Sequence, residues 1–312
     1  MQSPEYPSSI IGIIKDFGLV LDKKRGQCFL VENNILEQIP VLTGVRKNDL
    51  VIEIGAGAGN LTARLSQAAG FVVAYETDRN FFPVYEKYFQ GSNTEFLMQD
   101  FLKADLPAKI MDARTLMPGL TRTVVVANIP YQITSAIIEK ILYSDAAVDD
   151  VCLLMQKDVA DRTKASADCP EYSILSIACS LRSEVSFVKN IGRNCFFPKP
   201  EVDSTIVRFT PRILSESRGV EEFVIFALVK AAFNQRRKVA RNAIINNAGR
   251  LATVNGYPAD FAAFLDGENF KSVLTSAFAE CGIEASARAE NISPQQYSRL
   301  ASIVQAEWRK NG

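Results

Sequence analysis

The sequence contains no histidine. That removes the side chain most often used for proton transfer near neutral pH, and with it most zinc-ligand sets, so no metal is called for and any chemistry must proceed without an imidazole. Cysteine is scarce and scattered: Cys28, Cys152, Cys169, Cys179, Cys195 and Cys281 contain no CxxC pair, which fits free thiols in a reducing compartment. No apolar run reaches the roughly 18 residues of a membrane span. The N-terminus has no basic segment followed by an apolar core and a small-residue cleavage site, so no secretion signal is expected and the protein is expected in the cytoplasm. An excess of either charge is missing too, because 35 Lys and Arg balance 35 Asp and Glu. Domains that bind nucleic acid over their whole surface are usually basic, so any RNA contact here has to be a local patch.

What is present is a chain of 312 residues, 47% hydrophobic, long enough for a sizeable core and about two domains. Ile10, Ile11, Ile13, Ile14, Phe17 and Leu19 suggest a short amphipathic helix leading into a basic turn, Lys23-Lys24-Arg25-Gly26, with a second helix over 35–42. From residue 50, strand and helix signals alternate. Strands are expected at 50–55, 71–76, 95–100, 124–129 and 151–156, with helices from Asn60, through Phe82 and Tyr88, and over 134–142, which is the pattern of βαβ units on a parallel sheet. A helix near 172–181 precedes two more strands, 185–191 and 205–209, joined by Phe196-Phe197-Pro198-Lys199-Pro200. With no helical crossover between them, these two close the sheet as an antiparallel pair. After Pro211 the composition turns helical, which places a domain boundary near 212–220.

The chemistry gathers at the ends of the expected strands. Thr123-Val124-Val125-Val126-Ala127 runs into Asn128-Ile129-Pro130-Tyr131, where proline stops the strand and sets an amide beside an aromatic ring. Such a turn suits a planar base bearing an amino group. Taken alone, it also fits an ordinary strand-to-loop turn. Gly55, Gly57 and Gly59 end the first strand and open a helix, letting a ligand approach the backbone closely, but their spacing does not meet the dinucleotide pattern GxGxxG. Glu76 ends the next strand, where a carboxylate can accept a ribose diol, although it also reads as a surface acid beside the helix cap Asp78. Asp100 ends the third, placed to accept an adenine amino group with Phe101 covering the ring.

Together these stretches resemble the S-adenosylmethionine-dependent ribosomal RNA adenine dimethyltransferases of the type that modifies small-subunit RNA. The likeness spans residues 10–250 and extends to three further segments. Gly26-Gln27-Cys28-Phe29-Leu30 is similar to the family's GQNFL or GQHFL loop, 151–160 to its fifth strand, and 196–204 to its FxPxPKVDS. The resemblance implies a Rossmann-like class I methyltransferase, an α/β fold with a seven-stranded, mostly parallel sheet and an antiparallel last strand, over residues 1–212, and a small α-helical domain over 213–312. It implies S-adenosyl-L-methionine as cofactor, held by Cys28, Leu30, Gly55, Gly57, Glu76, Asp100, Phe101 and Asn128. Asn128 and a peptide oxygen at Ile129 or Pro130 would accept the amine's protons, while Tyr131 and Phe196 would stack on an extruded adenine; Phe196 or Phe197 alternatively plugs the core. Cys28 replaces the usual Asn or His, and Glu201 the usual Lys.

Ala232-Phe233-Asn234-Gln235-Arg236-Arg237-Lys238 resembles the family's FSQRRK segment. As a helix it would put Arg237 and Arg241 on one face beside Lys238, and Arg236, Arg237, Lys238 and Arg241, extended by Lys23, Lys24 and Arg25, would track an RNA backbone; a plain solvated face is the other reading. The expected activity is dimethylation of two adjacent adenines near the 3′ end of 16S rRNA within a pre-ribosomal small subunit, by a monomer with a role in ribosome biogenesis. Two alternatives share the motifs: a resistance-type methyltransferase acting on large-subunit rRNA, and an RNA-binding assembly factor that has lost catalysis.

Overall fold

The computed structural model of the protein describes residues 6, 7, 9–20 and 28–311. Lys23, Lys24 and Arg25 lie outside them, so their expected RNA contact falls outside the described residues. The described strands are β1 (Phe29–Leu30), β2 (Asp49–Ile54), β3 (Phe71–Tyr75), β4 (Thr94–Leu97), β5 (Arg122–Asn128), β6 (Asp150–Gln156), β7 (Ser183–Ile191), β8 (Phe196–Phe197) and β9 (Ser204–Pro211). Seven form one sheet in the order β4-β3-β2-β5-β6-β9-β7. β2 runs parallel to β3 and β5, β3 to β4, and β5 to β6, whereas β9 is antiparallel to β6. The expected seven-stranded, mostly parallel α/β sheet is what the chain forms.

The parallel strands read as unbroken apolar runs because side chains on both of their faces are covered. Leu50, Val51 and Ile52 of β2 and Val124 and Val125 of β5 are inaccessible to solvent. Full burial of each is worth about 1.5–3 kcal/mol. Strand order reverses at β2, with β3 and β4 on one side of it and β5 and β6 on the other. Crossovers diverge there, opening a crevice at the carboxyl ends of β2, β3 and β5.

Three local expectations need correction. β4 stops at Leu97, so Asp100 lies beyond the strand and caps the 3-10 turn Phe101–Lys103, its side chain accepting from Leu102 N–H. A helix over Leu106–Leu116 adds to the expected set. Its start is nonetheless written in the sequence, since Asp105 accepts from Ala108 N–H and Pro107 sits in the first turn, where a missing N–H costs nothing. The basic segment is not one helix: Glu222–Phe233 ends before it, residues 234–238 make a turn, and Arg241 belongs to the following helix, Ala240–Val254.

Contacts divide the described residues into two compact units: those up to Ala160 together with Glu184–Pro211, and Asp161–Ser183 together with those from Arg212 onward. The helical unit therefore also draws in a segment from before the last two strands of the sheet. Its core includes Tyr172, Val224, Leu228, Phe261, Leu274 and Leu300. The buried hydroxyls of Tyr172 and Tyr297 donate to the carbonyls of Ile292 and Ala289, which leaves neither phenol unsatisfied.

Candidate active site

The crevice at the switch point is a cleft of about 350 Å³. Cys28, Leu30, Gly55, Gly57, Glu76, Asp100, Phe101, Asn128, Ile129 and Pro130 all line it, so residues from five separate stretches of the sequence meet in one place.

Its floor is the turn after β2. Gly55, Gly57 and Gly59 adopt φ of +77°, +55° and +88°, a left-handed backbone that side-chain-bearing residues rarely take. Gly57 is constrained from every side. Its N–H donates to Glu76 Oε2 at 2.8 Å, its carbonyl accepts from the Tyr85 hydroxyl at 2.6 Å, and a Cβ added there would sit 2.5 Å from the Phe29 ring. The next carbonyl, of Ala58, accepts from the Tyr6 hydroxyl at 2.6 Å. The turn's amides are engaged as well, since Gly55 and Ala56 N–H donate to the Tyr75 carbonyl at 2.9 and 3.0 Å and Gly59 N–H to the Ala56 carbonyl at 2.9 Å. Glu76 Oε1 accepts from Thr77 N–H at 2.7 Å and Asp78 N–H at 2.8 Å, so three backbone donors hold this carboxylate at the end of β3.

Behind the glycines stands Glu53, a cleft-lining residue of β2 that is 1% exposed and whose Oε2 has no hydrogen-bond partner. Burial, partly offset by the Thr62 side chain and reinforced by the charge of Glu76, raises its carboxyl to about 8. Sequence reasoning takes Glu53 only as part of the strand. The signal that could have found it is an acid in an otherwise apolar run, two residues before the glycines. Asp100 uses one oxygen to cap its own turn, and Phe101, wedged edge-on against Tyr75 with ring centroids 5.3 Å apart, is buried at the same wall.

The opposite wall is the end of β5. A Cβ on Gly55 would lie 3.8 Å from both the Asn128 carbonyl oxygen and Pro130 Cδ, so the glycine turn and the Asn-Ile-Pro turn abut. Asn128 Nδ2 donates to the Cys28 carbonyl at 2.9 Å. The carbonyl of Pro130 already accepts from the Thr134 hydroxyl at 3.2 Å and Ile133 N–H at 3.4 Å. Tyr131 opens the 3-10 turn Tyr131–Ile133, and its side chain lies outside the described atoms.

β1 closes the cleft from the N-terminal side. It pairs antiparallel with β8, Phe29 opposite Phe197 and Leu30 opposite Phe196, and the Leu30 carbonyl accepts from Asn60 Nδ2 at 2.6 Å. Phe196 is 3% exposed, packed in the core cluster with Phe29 and Leu30 and away from the cleft lining, whereas Phe197 is 41% exposed. In the helical unit, Arg237 and Lys238 are exposed and Arg241 half-buried, but Arg236 is engaged: its guanidinium binds Glu290 at 2.6 Å and the Pro170 carbonyl at 3.0 Å.

The cleft fits an adenosine-bearing cation. The glycine turn and the carboxylates of Glu76 and Asp100 flank a largely apolar slot, and a buried acid with one unpartnered oxygen stands behind them. Among the described residues no cluster of three or more His, Cys, Asp or Glu side chains is arranged to hold a metal ion, and no helix is long and apolar enough to cross a membrane.

Comparison with known proteins agrees with this geometry. Residues 20–255 match the family described as ribosomal RNA adenine dimethylase. The chain is 31% identical over 300 residues, 96% of each chain, to a ribosomal RNA small subunit methyltransferase A from Lachnoclostridium phytofermentans. Among solved structures, a dimethyladenosine transferase from Plasmodium falciparum superposes with a TM-score of 0.66 at 26% identity, covering 90% of this chain and 97% of that one. The 23S rRNA methyltransferase ErmE superposes at 0.58 with 24% identity over 89% of this chain and 99% of that one, a likeness of fold.

Proposed function

The chain belongs to the ribosomal RNA adenine dimethylase family, and from that premise we propose how its residues divide the work of the reaction. It is an S-adenosyl-L-methionine-dependent 16S rRNA adenine dimethyltransferase. When bound, the cofactor supplies a methyl group on a positively charged sulfur. Everything else has to come from the protein and the RNA.

An adenine amino nitrogen is a poor nucleophile because its lone pair is delocalised into the ring. The observation that carries our reading is the Asn128 hydrogen bond to Cys28. A peptide carbonyl can only accept, so the amide's NH₂ must be the end that faces Cys28, which leaves Oδ1 as the end available to an amino group. Asn128 Oδ1 takes one amine proton. Because the Pro130 oxygen is already engaged twice, the Ile129 carbonyl takes the other. Holding both protons out of the ring plane turns the lone pair toward the methyl. No base is needed before attack, since the nitrogen becomes acidic only once it is alkylated. Tyr131 stacks on the extruded base, while Phe196, buried in the core, holds β8 against β1. Glu76 receives the ribose hydroxyls, Asp100 the adenine amino group of the cofactor, and Phe101 its ring. Gly55, Gly57, Leu30 and Cys28 shape the slot through their backbones.

The exposed Arg237 and Lys238, with Arg241, contact the RNA backbone. The working unit is a monomer acting on a pre-ribosomal small subunit in the cytoplasm. The deciding experiment is incubation with labelled donor and small subunits that lack the modification, followed by mass-spectrometric mapping. Two adjacent dimethyladenines near the 3′ end of 16S rRNA are expected. Label in large-subunit RNA, or none at all, would refute the assignment.

A further inference from the structure

Two carboxylates stand side by side in the cleft in different circumstances. Glu76 accepts three backbone N–H groups, while Glu53, deeper and almost fully buried, has an oxygen with no partner at all. A buried carboxylate without a partner is costly, and such an acid keeps its proton until a cation arrives. The groups around Glu53 do not supply one. From the end of β3 comes the Glu76 carboxylate. From helix Asn60–Ala68 comes the Thr62 hydroxyl, short of normal hydrogen-bond geometry, and from helix Phe82–Tyr88 and the N-terminal segment come the phenols of Tyr85 and Tyr6. Both phenols donate to loop carbonyls and are pushed further toward the neutral form by burial. The Arg64 guanidinium acts on Tyr6, and no cation is among the groups acting on Glu53. The missing positive charge is thus left to the ligand.

We propose that Glu53 is a charge-sensing residue of the cofactor cleft: it is neutral in the free enzyme, releases its proton to solvent when the cationic methyl donor binds, and keeps it when the uncharged thioether product binds. The inference rests on the cofactor assignment above. The proton count closes over a cycle. One proton leaves Glu53 on donor binding. During transfer the S–CH₃ bond breaks with its electron pair staying on sulfur, the N–CH₃ bond forms, and the amine sheds one proton. As the sulfonium charge disappears, Glu53 takes one back from solvent. The site then holds a neutral acid against a neutral product, so it has lost the attraction that favoured the donor, and the product exchanges.

The test is isothermal titration of the full chain with S-adenosylmethionine, and separately with S-adenosylhomocysteine, at pH 7 in two buffers of different ionisation enthalpy. Donor binding should release roughly 0.9 proton and product binding close to none, as expected of a carboxyl near 8. Donor affinity should rise up to about tenfold per pH unit between pH 6 and 8 while product affinity stays flat. The donor's own ammonium group titrates nearby, so the Glu53→Gln variant decides: it should still bind both ligands but release no proton with either. Equal release by donor and product, or release that persists in Glu53→Gln, would overturn the proposal. If that variant does not fold, the donor-against-product comparison on the unaltered chain decides alone. No donor binding at all would instead sink the cofactor assignment, and this inference with it.

Discussion

Asn128 and Cys28, 100 residues apart in the chain, are joined by a 2.9 Å hydrogen bond from the Asn128 side-chain amide to the Cys28 main-chain carbonyl. The bond sets which end of the amide meets the substrate, so the two ends can be tested separately. Asn128→Ala removes the acceptor and should cut turnover by about two to three orders of magnitude, the usual cost of losing one such polar contact to a transition state. Donor affinity should change only a few-fold, because that contact matters mainly as the amine rehybridises. Asn128→Asp keeps an acceptor but sets a carboxylate against the Cys28 carbonyl. It should lose turnover to the same degree and also weaken donor binding as the strand before Leu30 is pushed away. Single-turnover rates and calorimetric affinities for the two variants check this.

Glu76→Ala should show the opposite split. Three backbone N–H groups lose their acceptor, and donor affinity should fall roughly ten- to hundredfold, corresponding to about 1–3 kcal/mol for buried donors left unpaired. Turnover at saturating donor should fall much less. A binding isotherm beside a saturation curve separates the two.

Gly57→Ala places a methyl within 2.5 Å of the Phe29 ring on a residue whose φ is +55°. Strain in that backbone region costs on the order of 1–3 kcal/mol before the clash is counted. A lowered Tm and loss of donor binding are expected. Gly91→Ala, also at positive φ but with nothing within 4 Å of the added methyl, should lower Tm less and bind donor normally.

Stability should fall as pH rises from about 5 to 8. Glu53 has a carboxyl raised from 4.5 to about 8, so the folded chain holds a proton that the unfolded chain has already lost. Its contribution is complete below the unfolded value and disappears as pH climbs through the folded one, with a slope of at most about 1.4 kcal/mol per pH unit. Glu53→Gln should flatten that slope. Denaturant unfolding at pH 5, 6, 7 and 8 reads it directly.

Arg237→Ala combined with Lys238→Ala should reduce the salt dependence of RNA binding by about two phosphate contacts and leave Tm unchanged. Arg236→Ala should do the reverse, because that guanidinium ties residues 236, 290 and 170 together within the helical unit. An unchanged salt slope in the double variant would place this turn outside the RNA contact.

The sheet and the residues on its edge are readable in the sequence for a local reason. Gly55, Glu76 and Asn128 each sit where an apolar strand ends, and parallel strands place such ends on one rim. Asp100 is readable as a residue but not in its place, because β4 closes at Leu97 and a short loop carries the acid onward. The ribbon of β1 and β8 is not readable at all: two residues pair with two others far along the chain, too few to leave a period of alternation. The same brevity hides the difference between Phe196 and Phe197, since the pairing register decides which ring enters the core. Glu53 is visible as a letter, but its behaviour comes from how deeply the fold buries it.

At position 28 the contact with Asn128 is made by main chain, and the atom that orients the amide belongs to the peptide and not to the thiol. Any residue that leaves the backbone of Phe29 and Leu30 paired to Phe197 and Phe196 presents the same oxygen, so the orientation of the Asn128 amide does not depend on which side chain position 28 bears. What the substrate-facing amide requires at this position is the two-residue pairing and not a particular letter.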